Sequence, residues 1–542
     1  MAIDVGLLKL DERLVLAQLR QDLKDDWFPD ARGFEDIFQN EQIRKVVLDN
    51  FSANAGIYKP RRADVFNVPK ANFTLRYSLE TSIADRTLYH GLVADLVPQF
   101  DPLLAWSVYS HRQSTVRSAK RYLFNNGIEA WRHFLGSVRV AVKTSPVLLS
   151  TDLTNYYDHI DLAKLEATMA GLVAEIEATT SEKALIQQRL KVLFEYLPQW
   201  CYRPNGGLPQ NRDASSFLAN IYMLPVDREM LKKGYRYFRY MDDIKVVCRD
   251  KFHARRALKD LSLALRALGL SVNSGKTQIC GPEDGNKVAE ALEVGAPELQ
   301  QLSAIWGTRS IKPITRSFPL LKDFTKKLLA IGDVDSKAFR FCIHRLEALA
   351  LCPEFAPPLS YFEEITPAVI EALSTHPAGT DKLANYLAAV QLSDAQLESI
   401  SALLRDGSRS IYTWQCYRLW TLLIQKSYRN DELMAHALEV AKLGPDDANR
   451  SGAMLYAGAL GGKDERLAVA EGFSALKSFH GQRAAIVAVQ ELPYPVIREH
   501  VQPHLRADLV GVYRGIKDAK SYFLPPKHEP ITNFIDLDRH YD

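Results

Sequence analysis

Three aspartates in the middle of the chain, Asp152, Asp242 and Asp243, have the residue type and the neighbours of a site for phosphoryl transfer. Transfer to a nucleotide uses two divalent ions, one activating the attacking hydroxyl and the other holding the triphosphate. Magnesium takes hard oxygen ligands, so carboxylates from different elements must converge on it. Each signal also has an ordinary structural explanation, because Asp is common in turns and at helix N-caps. Their order and surroundings favour the site.

The segments around these aspartates predict strands that would bring them together. Asp152 directly follows a short apolar run, 147–151, which is typical of a buried strand. The adjacent pair of aspartates lies between two aromatic and β-branched runs, 235–240 and 244–248, which together predict a β-hairpin. The strand end and the hairpin turn would then present their carboxylates to one another.

A helix and a further strand are predicted after the hairpin. Leucines 258, 261, 265 and 268 share one helical face, and Gly269 marks the point where this helix should end. A strand over 270–273 is expected next, and a Ser-Gly turn leads from it to Lys276.

The chain of 542 residues is too long for one compact core, and its patterns predict three segments. Segment 1–148 mixes helical periodicity with basic, Pro-punctuated stretches. Segment 149–279 alternates strands and helices, as an α/β layer does. Segment 280–542 reads almost wholly as helices, which predicts an all-α domain of HEAT-like helical repeats.

The bulk composition excludes several classes of protein. The net charge of +3 leaves only a local patch for nucleic acid. Six cysteines without a Cys-x-x-Cys pair argue against a zinc site or a disulfide framework and suit the cytoplasm. The N-terminus does not read as a signal peptide, and no apolar run is long enough to span a membrane.

Four short motifs in the middle segment stand in the order found in the reverse-transcriptase family. They are LSTDLTNYYD (149–158), GLPQ (207–210) with LANIY (218–222), YMDD (240–243), and LGL (268–270) with Asn273, Lys276 and Thr277. The chain therefore resembles reverse transcriptases. The resemblance implies a right-handed polymerase with fingers in 1–148, an α/β palm in 149–279 and no conventional thumb.

The resemblance also assigns roles to single residues of these motifs. The three aspartates are expected to bind two Mg²⁺ ions, with Mn²⁺ as an alternative metal. The backbone at Leu153 should contact the triphosphate, and Gln210 belongs to the expected nucleotide-binding set. Tyr157 matches the aromatic steric gate that excludes a ribose 2′-hydroxyl, so deoxynucleotides should be preferred; packing within the palm is its alternative role.

Cationic residues complete the expected site. Lys276 matches the lysine that can protonate the departing pyrophosphate, and its alternative is a solvated turn lysine. Lys70 and Arg76 resemble the fingers hairpin whose cations clamp the triphosphate. A basic stretch with two tyrosines, 109–122, suits either a groove that tracks a nucleic-acid strand or a charged helix face.

Two departures from the usual family pattern indicate which branch of the reverse-transcriptase family the chain resembles. The second motif continues as Asn211-Arg212-Asp213, where the family usually has small residues near the template, so Arg212 would fill that space or clamp a phosphate. Template use should then be reduced or absent. A palm joined to a helical domain, the DDWFPD segment (25–30) and Trp131 with Phe134 resemble the abortive-infection (Abi) polymerases of bacterial phage defence.

The resemblance to that branch implies that dNTPs become DNA without a template, primed on a protein hydroxyl and left covalently attached. It also implies a homo-oligomer, a trimer or a hexamer. The sequence does not identify the priming tyrosine among candidates such as Tyr58, Tyr522 and Tyr541. Two other functions stay open: a template-dependent reverse transcriptase that copies an associated RNA, and a catalytically dead helical-repeat scaffold.

Overall fold

The computed structural model describes residues 2–6, 8–23, 26–38, 42–115, 122–293, 295–355, 360–517, 521–523 and 531. The strands are β1 (Ala2–Val5), β2 (Leu8–Asp11), β3 (Asp64–Pro69), β4 (Leu75–Glu80), β5 (Val147–Thr151), β6 (Arg236–Tyr240), β7 (Asp243–Cys248) and β8 (Gln278–Cys280). The helices are α1 (Glu12–Asp22), α2 (Glu35–Phe38), α3 (Gln42–Ala53), α4 (Ile83–Phe100), α5 (Gly127–Val142), α6 (Leu162–Leu172), α7 (Thr180–Trp200), α8 (Asp213–Lys232), α9 (Lys251–Leu268), α10 (Gly285–Ala291), α11 (Pro297–Gly307), α12 (Ile311–Arg316), α13 (Phe318–Ala330), α14 (Lys337–Ala350), α15 (Ser360–Glu363), α16 (Thr366–Thr375), α17 (Thr380–Ala389), α18 (Asp394–Arg405), α19 (Thr413–Gln425), α20 (Asp431–Leu443), α21 (Ala448–Leu460), α22 (Lys463–Glu471), α23 (Phe479–Ala488), α24 (Tyr494–His500) and α25 (Val510–Ile516).

The chain forms two compact units, each built from separated parts of the sequence. The first unit contains Met1–Asp26, Asn50–Val65 and Leu79–Val294, and the second contains Trp27–Asp49, Phe66–Ser78 and Gly295–Asp542. Residues of the predicted segment 1–148 thus occur in both units. The domain limits 148/149 and 279/280 stay a prediction.

A four-stranded antiparallel sheet with the order β6-β7-β5-β8, the central sheet, lies at the heart of the first unit. The predicted strand 147–151 and the predicted hairpin are confirmed as β5 and β6–β7. β5 is the apolar run at the middle of the sheet, and Val147, Leu148 and Leu149 are buried. Helices α5 and α9 pack against these strands.

Helix α9 is confirmed, including its end. Its C-cap, Gly269, has a φ of +84°, a left-handed conformation that glycine adopts without steric cost. The strand predicted over 270–273 is wrong: of these residues only Val272 makes a bridge, to Leu153, and the strand that pairs with the other edge of β5 is β8. The Asn273 amide bonds the Asp152 carbonyl at 2.7 Å, so this run lies beside residues that follow β5. It therefore has no strand to pair with along its length.

The second unit contains helices that pack in pairs. α16 packs on α17, α18 on α19, α20 on α21 and α22 on α23, and neighbouring pairs pack on each other. The described residues of 295–517 are mainly helical, as the sequence predicted for this segment. The HEAT-like nature of the pairs stays a prediction.

The segment Trp27–Asp49 is embedded in this second unit. The carbonyls of Trp27 and Pro29 accept hydrogen bonds of 2.5 Å from Trp414 and Tyr417 of α19. The Phe28 ring stacks on Tyr417, with a distance of 4.2 Å between ring centroids. These contacts make part of the predicted N-terminal segment a structural component of the helical unit.

Two further observations concern the expectations from composition. All six cysteines are free and buried. Within the described ranges, no helix is both long enough and apolar enough to cross a membrane.

Candidate active site

Asp152 and the Asp242–Asp243 pair lie at the same end of the central sheet. Thr151 of β5 pairs with Ile244 of β7, so the next residues outward, Asp152 and Asp243, stand opposite each other. Asp242 lies in the tight turn that joins β6 to β7. The Asp152 side chain is 14% exposed, and the other two aspartates are half-buried. The sheet register thus assembles the three predicted carboxylates.

The charges of this cluster act strongly on one another. Burial, followed by the negative charges of Asp152 and Asp243, raises the pKa of Asp242 to about 7. Lys276 lies 2.5 Å from Asp152, measured between Nζ and Oδ2. Burial acts to lower the pKa of Lys276, but its bond to Asp152 and the charges of Asp242 and Asp243 raise it overall. Lys276 is therefore a protonated ammonium paired with Asp152, and its role as a general acid stays a prediction.

The donor set at this end of the sheet suits a hard cation. The three side chains offer carboxylate oxygens only, and their mutual repulsion would be relieved by a divalent ion. Within the described parts of the chain, no set of three or more Asp, Glu, His and Cys side chains is arranged to hold a metal by itself. Magnesium in nucleotide-transferring sites takes its other ligands from substrate phosphates and water, so the aspartates fit it as a partial ligand set.

A buried arginine supports the turn that carries Asp242. Met241 in this turn has a φ of +49°, and its carbonyl accepts a hydrogen bond of 3.0 Å from Nη1 of Arg239. Arg239 is fully buried and bonds both carboxylate oxygens of Asp227 at 2.8 and 2.6 Å. It also bonds Oδ1 of Asn220 at 2.8 Å. This group was not predicted from the sequence, although an arginine inside the aromatic run predicted as a hairpin strand was a signal.

The loop after β5 contains the other residues predicted from the first motif. Leu153 is buried and forms the bridge to Val272. The hydroxyl of Tyr157 lies 2.8 Å from Oγ of Ser216, and its carbonyl accepts a 3.0 Å bond from the Leu208 amide. Leu153 and Tyr157 both lie in the segment that follows Asp152, and the contact with Ser216 was not predicted from the sequence.

The second motif is tied to the same loop. Nε2 of Gln210 donates to Oδ1 of Asp158 at 2.7 Å, and the Gly207 amide donates to the Ile160 carbonyl at 2.9 Å. Gly207 has a φ of +82°, which side chains rarely tolerate. The GLPQ sequence is therefore an irregular segment that is hydrogen-bonded to the residues around and after Tyr157.

Of the two alternatives predicted for Arg212, filling space or clamping a phosphate, the phosphate clamp is wrong. The side chain is 3% exposed, and Nη2 bonds Oε2 of Glu80 at 2.5 Å. Nη1 lies 3.4 Å from Asp26, and Nε lies 3.9 Å from Asp22. The guanidinium is thus occupied by carboxylates of the protein, as burial of an arginine requires.

The carboxylates around Arg212 also hold the first turn of α8. Arg86 pairs with Asp22 and Asp26 at 2.5 and 2.7 Å, and the Asp213 amide donates to Oδ1 of Asp22 at 3.1 Å. Burial acts to raise the pKa of Asp22, but the nearby charges, led by that of Arg86, lower it far below its ordinary value. Asp22 is therefore an anion that caps the helix beginning after the second motif.

Lys70 and Arg76 lie around the turn of the β3–β4 hairpin, in residues of the second unit. The Lys70 amide bonds the Thr74 carbonyl at 2.8 Å, and the Arg76 guanidinium lies 4.7 Å above the Trp27 ring centroid. Their role as a triphosphate clamp stays a prediction.

The structure describes part of the basic stretch 109–122 and two of the three candidate priming tyrosines. Arg112 is bonded to Asp101 at 2.9 Å, and 116–121 lies outside the described residues. Tyr58 is 2% exposed and its hydroxyl donates to Asp85, which contradicts the exposure required of a primer. Tyr522 bonds Glu491 at 2.9 Å; Tyr541 lies outside the described residues.

Three carboxylates and an adjacent lysine thus stand together at one end of the central sheet. Residues 70–303 match the family of reverse transcriptases (RNA-dependent DNA polymerases). This part of the chain is a reverse-transcriptase domain, and it includes all four motifs.

Two solved structures of telomerase from Candida tropicalis are distantly similar. The apo enzyme has 13% identity and a TM-score of 0.31, over 71% of this chain and 67% of that chain. The complex with the TWJ fragment of telomeric RNA has 13% identity and a TM-score of 0.31, over 70% and 64% of the two chains. No curated protein sequence matches the chain.

Proposed function

We propose that this protein is a DNA polymerase that transfers deoxynucleotidyl groups from dNTPs with the help of two Mg²⁺ ions. The observation that carries the proposal is the convergence of Asp152, Asp242 and Asp243 at one end of the central sheet, within the reverse-transcriptase domain. The chemistry supplied by bound Mg²⁺ would be activation of the attacking hydroxyl and neutralisation of charge on the phosphates.

The residues of the chain have separate tasks in this proposal. Asp152 and Asp242 are the principal ligands, with Asp243 as the adjacent carboxylate. Lys276, held at 2.5 Å from Asp152, donates a proton to the departing pyrophosphate. Tyr157 lies against the sugar of the incoming nucleotide and excludes a 2′-hydroxyl.

The first test is incorporation of labelled dNTPs in the presence of magnesium, with wild type and Asp242→Asn compared. We expect the variant to lose at least about a hundredfold in rate, because a bound metal contributes several kcal/mol to transition-state stabilisation. Equal activity of the two proteins would exclude this site.

We infer further that the polymerase belongs to the Abi branch and acts in the cytoplasm in bacterial phage defence. In this proposal it makes DNA without a template, primed on a protein hydroxyl and left covalently attached, as a trimeric or hexameric homo-oligomer. The buried Arg212 supports the inference, because a large side chain paired with carboxylates stands where the family usually keeps small residues near the template. The paired helices of the second unit would serve as a HEAT-like assembly scaffold.

The branch is tested without template or primer. Purified protein is incubated with magnesium and labelled dNTPs, and the products are run on a denaturing protein gel before and after protease treatment. Label that migrates with the protein, is sensitive to protease and is absent from Asp242→Asn is the expected result. Synthesis that begins only when a template-primer is added would make the enzyme template-dependent and overturn this inference.

A further inference from the structure

Tyr157 is held at its backbone and at its hydroxyl. Its backbone carbonyl accepts the 3.0 Å hydrogen bond from the Leu208 amide. Its hydroxyl lies 2.8 Å from Oγ of Ser216, and its ring faces that of Tyr156, with 5.5 Å between the centroids. A change of the χ1 rotamer, which would swing the ring away, would therefore break the hydrogen bond at its hydroxyl.

The second hydrogen bond of the Ser216 hydroxyl indicates which way the bond between Tyr157 and Ser216 runs. The Ser216 hydroxyl donates to the Arg212 carbonyl at 3.2 Å, across one turn of α8. Its lone pairs then accept from Tyr157, so the proton order runs from tyrosine to serine to carbonyl. Ser216 is 5% exposed, and water is poorly placed to replace it.

The end of this chain of hydrogen bonds is itself fixed. The Arg212 side chain is bonded to Glu80 at 2.5 Å, and the next amide, that of Asp213, is bonded to Asp22 at 3.1 Å. The carbonyl that accepts from Ser216 thus belongs to a buried residue held on both sides. The position of the Tyr157 ring is consequently linked to the residues that depart from the family pattern.

We propose that Ser216 is a positioning residue that fixes the Tyr157 ring and thereby sets the selection of deoxynucleotides over ribonucleotides. This inference rests on the proposed polymerase function and on Tyr157 as the sugar gate. A ring that excludes a single hydroxyl group discriminates well only if it is held in place, because a small displacement admits the larger sugar. Ser216 contributes this rigidity and does not contact the substrate.

The neighbouring residue provides a matched control. Oγ of Ser215 lies 2.8 Å from the hydroxyl of Tyr89, so α8 contains two adjacent buried serines that each bond a tyrosine at the same distance. Only the bond of Ser216 reaches the loop that follows Asp152. Ser215→Ala and Ser216→Ala therefore remove equivalent hydrogen bonds at different places.

The experiment measures kcat/KM for a dNTP and for the matching rNTP, with Mg²⁺, in wild type and variants. Ser216→Ala and Tyr157→Phe should each lower the dNTP/rNTP ratio about three- to tenfold, the effect of one hydrogen bond. Their double variant should lose no more than either alone, because both remove the same bond. Ser215→Ala should keep the wild-type ratio, and Tyr157→Ala should lose most of it.

The outcomes separate this inference from the proposed function. If Tyr157→Ala loses discrimination and Ser216→Ala keeps it, Tyr157 is the gate and the role of Ser216 is wrong. If Ser215→Ala lowers the ratio as much as Ser216→Ala, the effect is general loosening of α8, and the inference is also wrong. If dNTPs are incorporated but Tyr157→Ala leaves the ratio unchanged, the gate assignment fails. If wild type incorporates no dNTP, the polymerase function fails, and the inference fails with it.

Discussion

At the scale of residues, the candidate site consists of carboxylates at one end of the central sheet and of buried side chains that support them. Asp152, Asp242 and Asp243 follow local strand and turn patterns, so their convergence could be predicted. Ser216 and Asp227 are buried residues of α8, and nothing in the sequence around them indicates that they support the site. Their importance depends on partners distant in the sequence, such as Tyr157 and Arg239.

Lys276 gives a prediction at this scale. Lys276→Ala should lower kcat about a hundredfold, because a general acid contributes roughly 10²–10⁴ to a rate. Its side chain is 65% exposed, so the free energy of unfolding should change by less than about 0.5 kcal/mol. Single-turnover incorporation kinetics measure the first quantity and denaturant unfolding the second.

Lys259→Ala is the matched control for Lys276→Ala, because Lys259 is an exposed lysine of α9 in the same unit. It should leave both quantities unchanged. An increase in KM with an unchanged kcat in Lys276→Ala would assign the lysine to binding of the triphosphate and contradict its role as an acid.

At the scale of elements, short-range patterns predicted β5, the β6–β7 hairpin and α9, whereas 270–273 was wrongly predicted as a strand. The local run has strand character, but strand formation needs a neighbour that continues alongside it. Residues 152–154 leave the sheet at that point, so the chain forms its ladder only later, at β8. Which residues pair with β5 depends on the folded sheet and cannot be recognised from the residues of 270–273 alone.

The ion pair beneath the hairpin turn gives a prediction at this scale. Asp227→Ala leaves the buried Arg239 without its carboxylate, so the free energy of unfolding should fall by about 3–5 kcal/mol. The turn holding Asp242 should become less ordered, since Arg239 also bonds the Met241 carbonyl. Denaturant unfolding and dNTP incorporation at permissive temperature measure the two effects.

Glu229 provides the control for Asp227 on the same helix. Its exposed pair with Lys233, at 3.4 Å, should contribute less than about 1 kcal/mol. A loss below about 1 kcal/mol for Asp227→Ala would show that the buried pair does not support the hairpin.

At the scale of the whole molecule, periodicity predicted helices throughout 280–542 but not the N-terminal segment packed among them. Asp30 and Asp36 bond Arg483 of α23, from which hundreds of positions separate them in the sequence. The signal was a compact group of acidic and aromatic residues in 25–30, and its partner could not be inferred from one sequence. Long-range pairing is therefore the part of the architecture that local patterns leave out.

The pH dependence of this long-range pair follows from the charge of Arg483. Burial acts to raise the pKa of Asp30, but Arg483 and the amides of Phe34 and Arg32 lower it below its ordinary value. A carboxyl with a lowered folded-state pKa adds stability above its unfolded-state pKa of about 3.9. This contribution is lost as the pH falls through the folded-state value, so acid should weaken the attachment of the segment.

Arg483→Met should therefore reduce the free energy of unfolding by about 3–5 kcal/mol at pH 7, because two buried carboxylates lose their cation. The difference from wild type should narrow below about pH 4, where wild type loses the same interaction. Calorimetry across pH measures both effects, and Arg498→Met, which changes an exposed arginine of α24, is the control. A difference that stays constant from pH 7 to below pH 4 would mean that Arg483 stabilises the segment by packing on Phe34, 4.5 Å from its ring centroid, and that its charge contributes little.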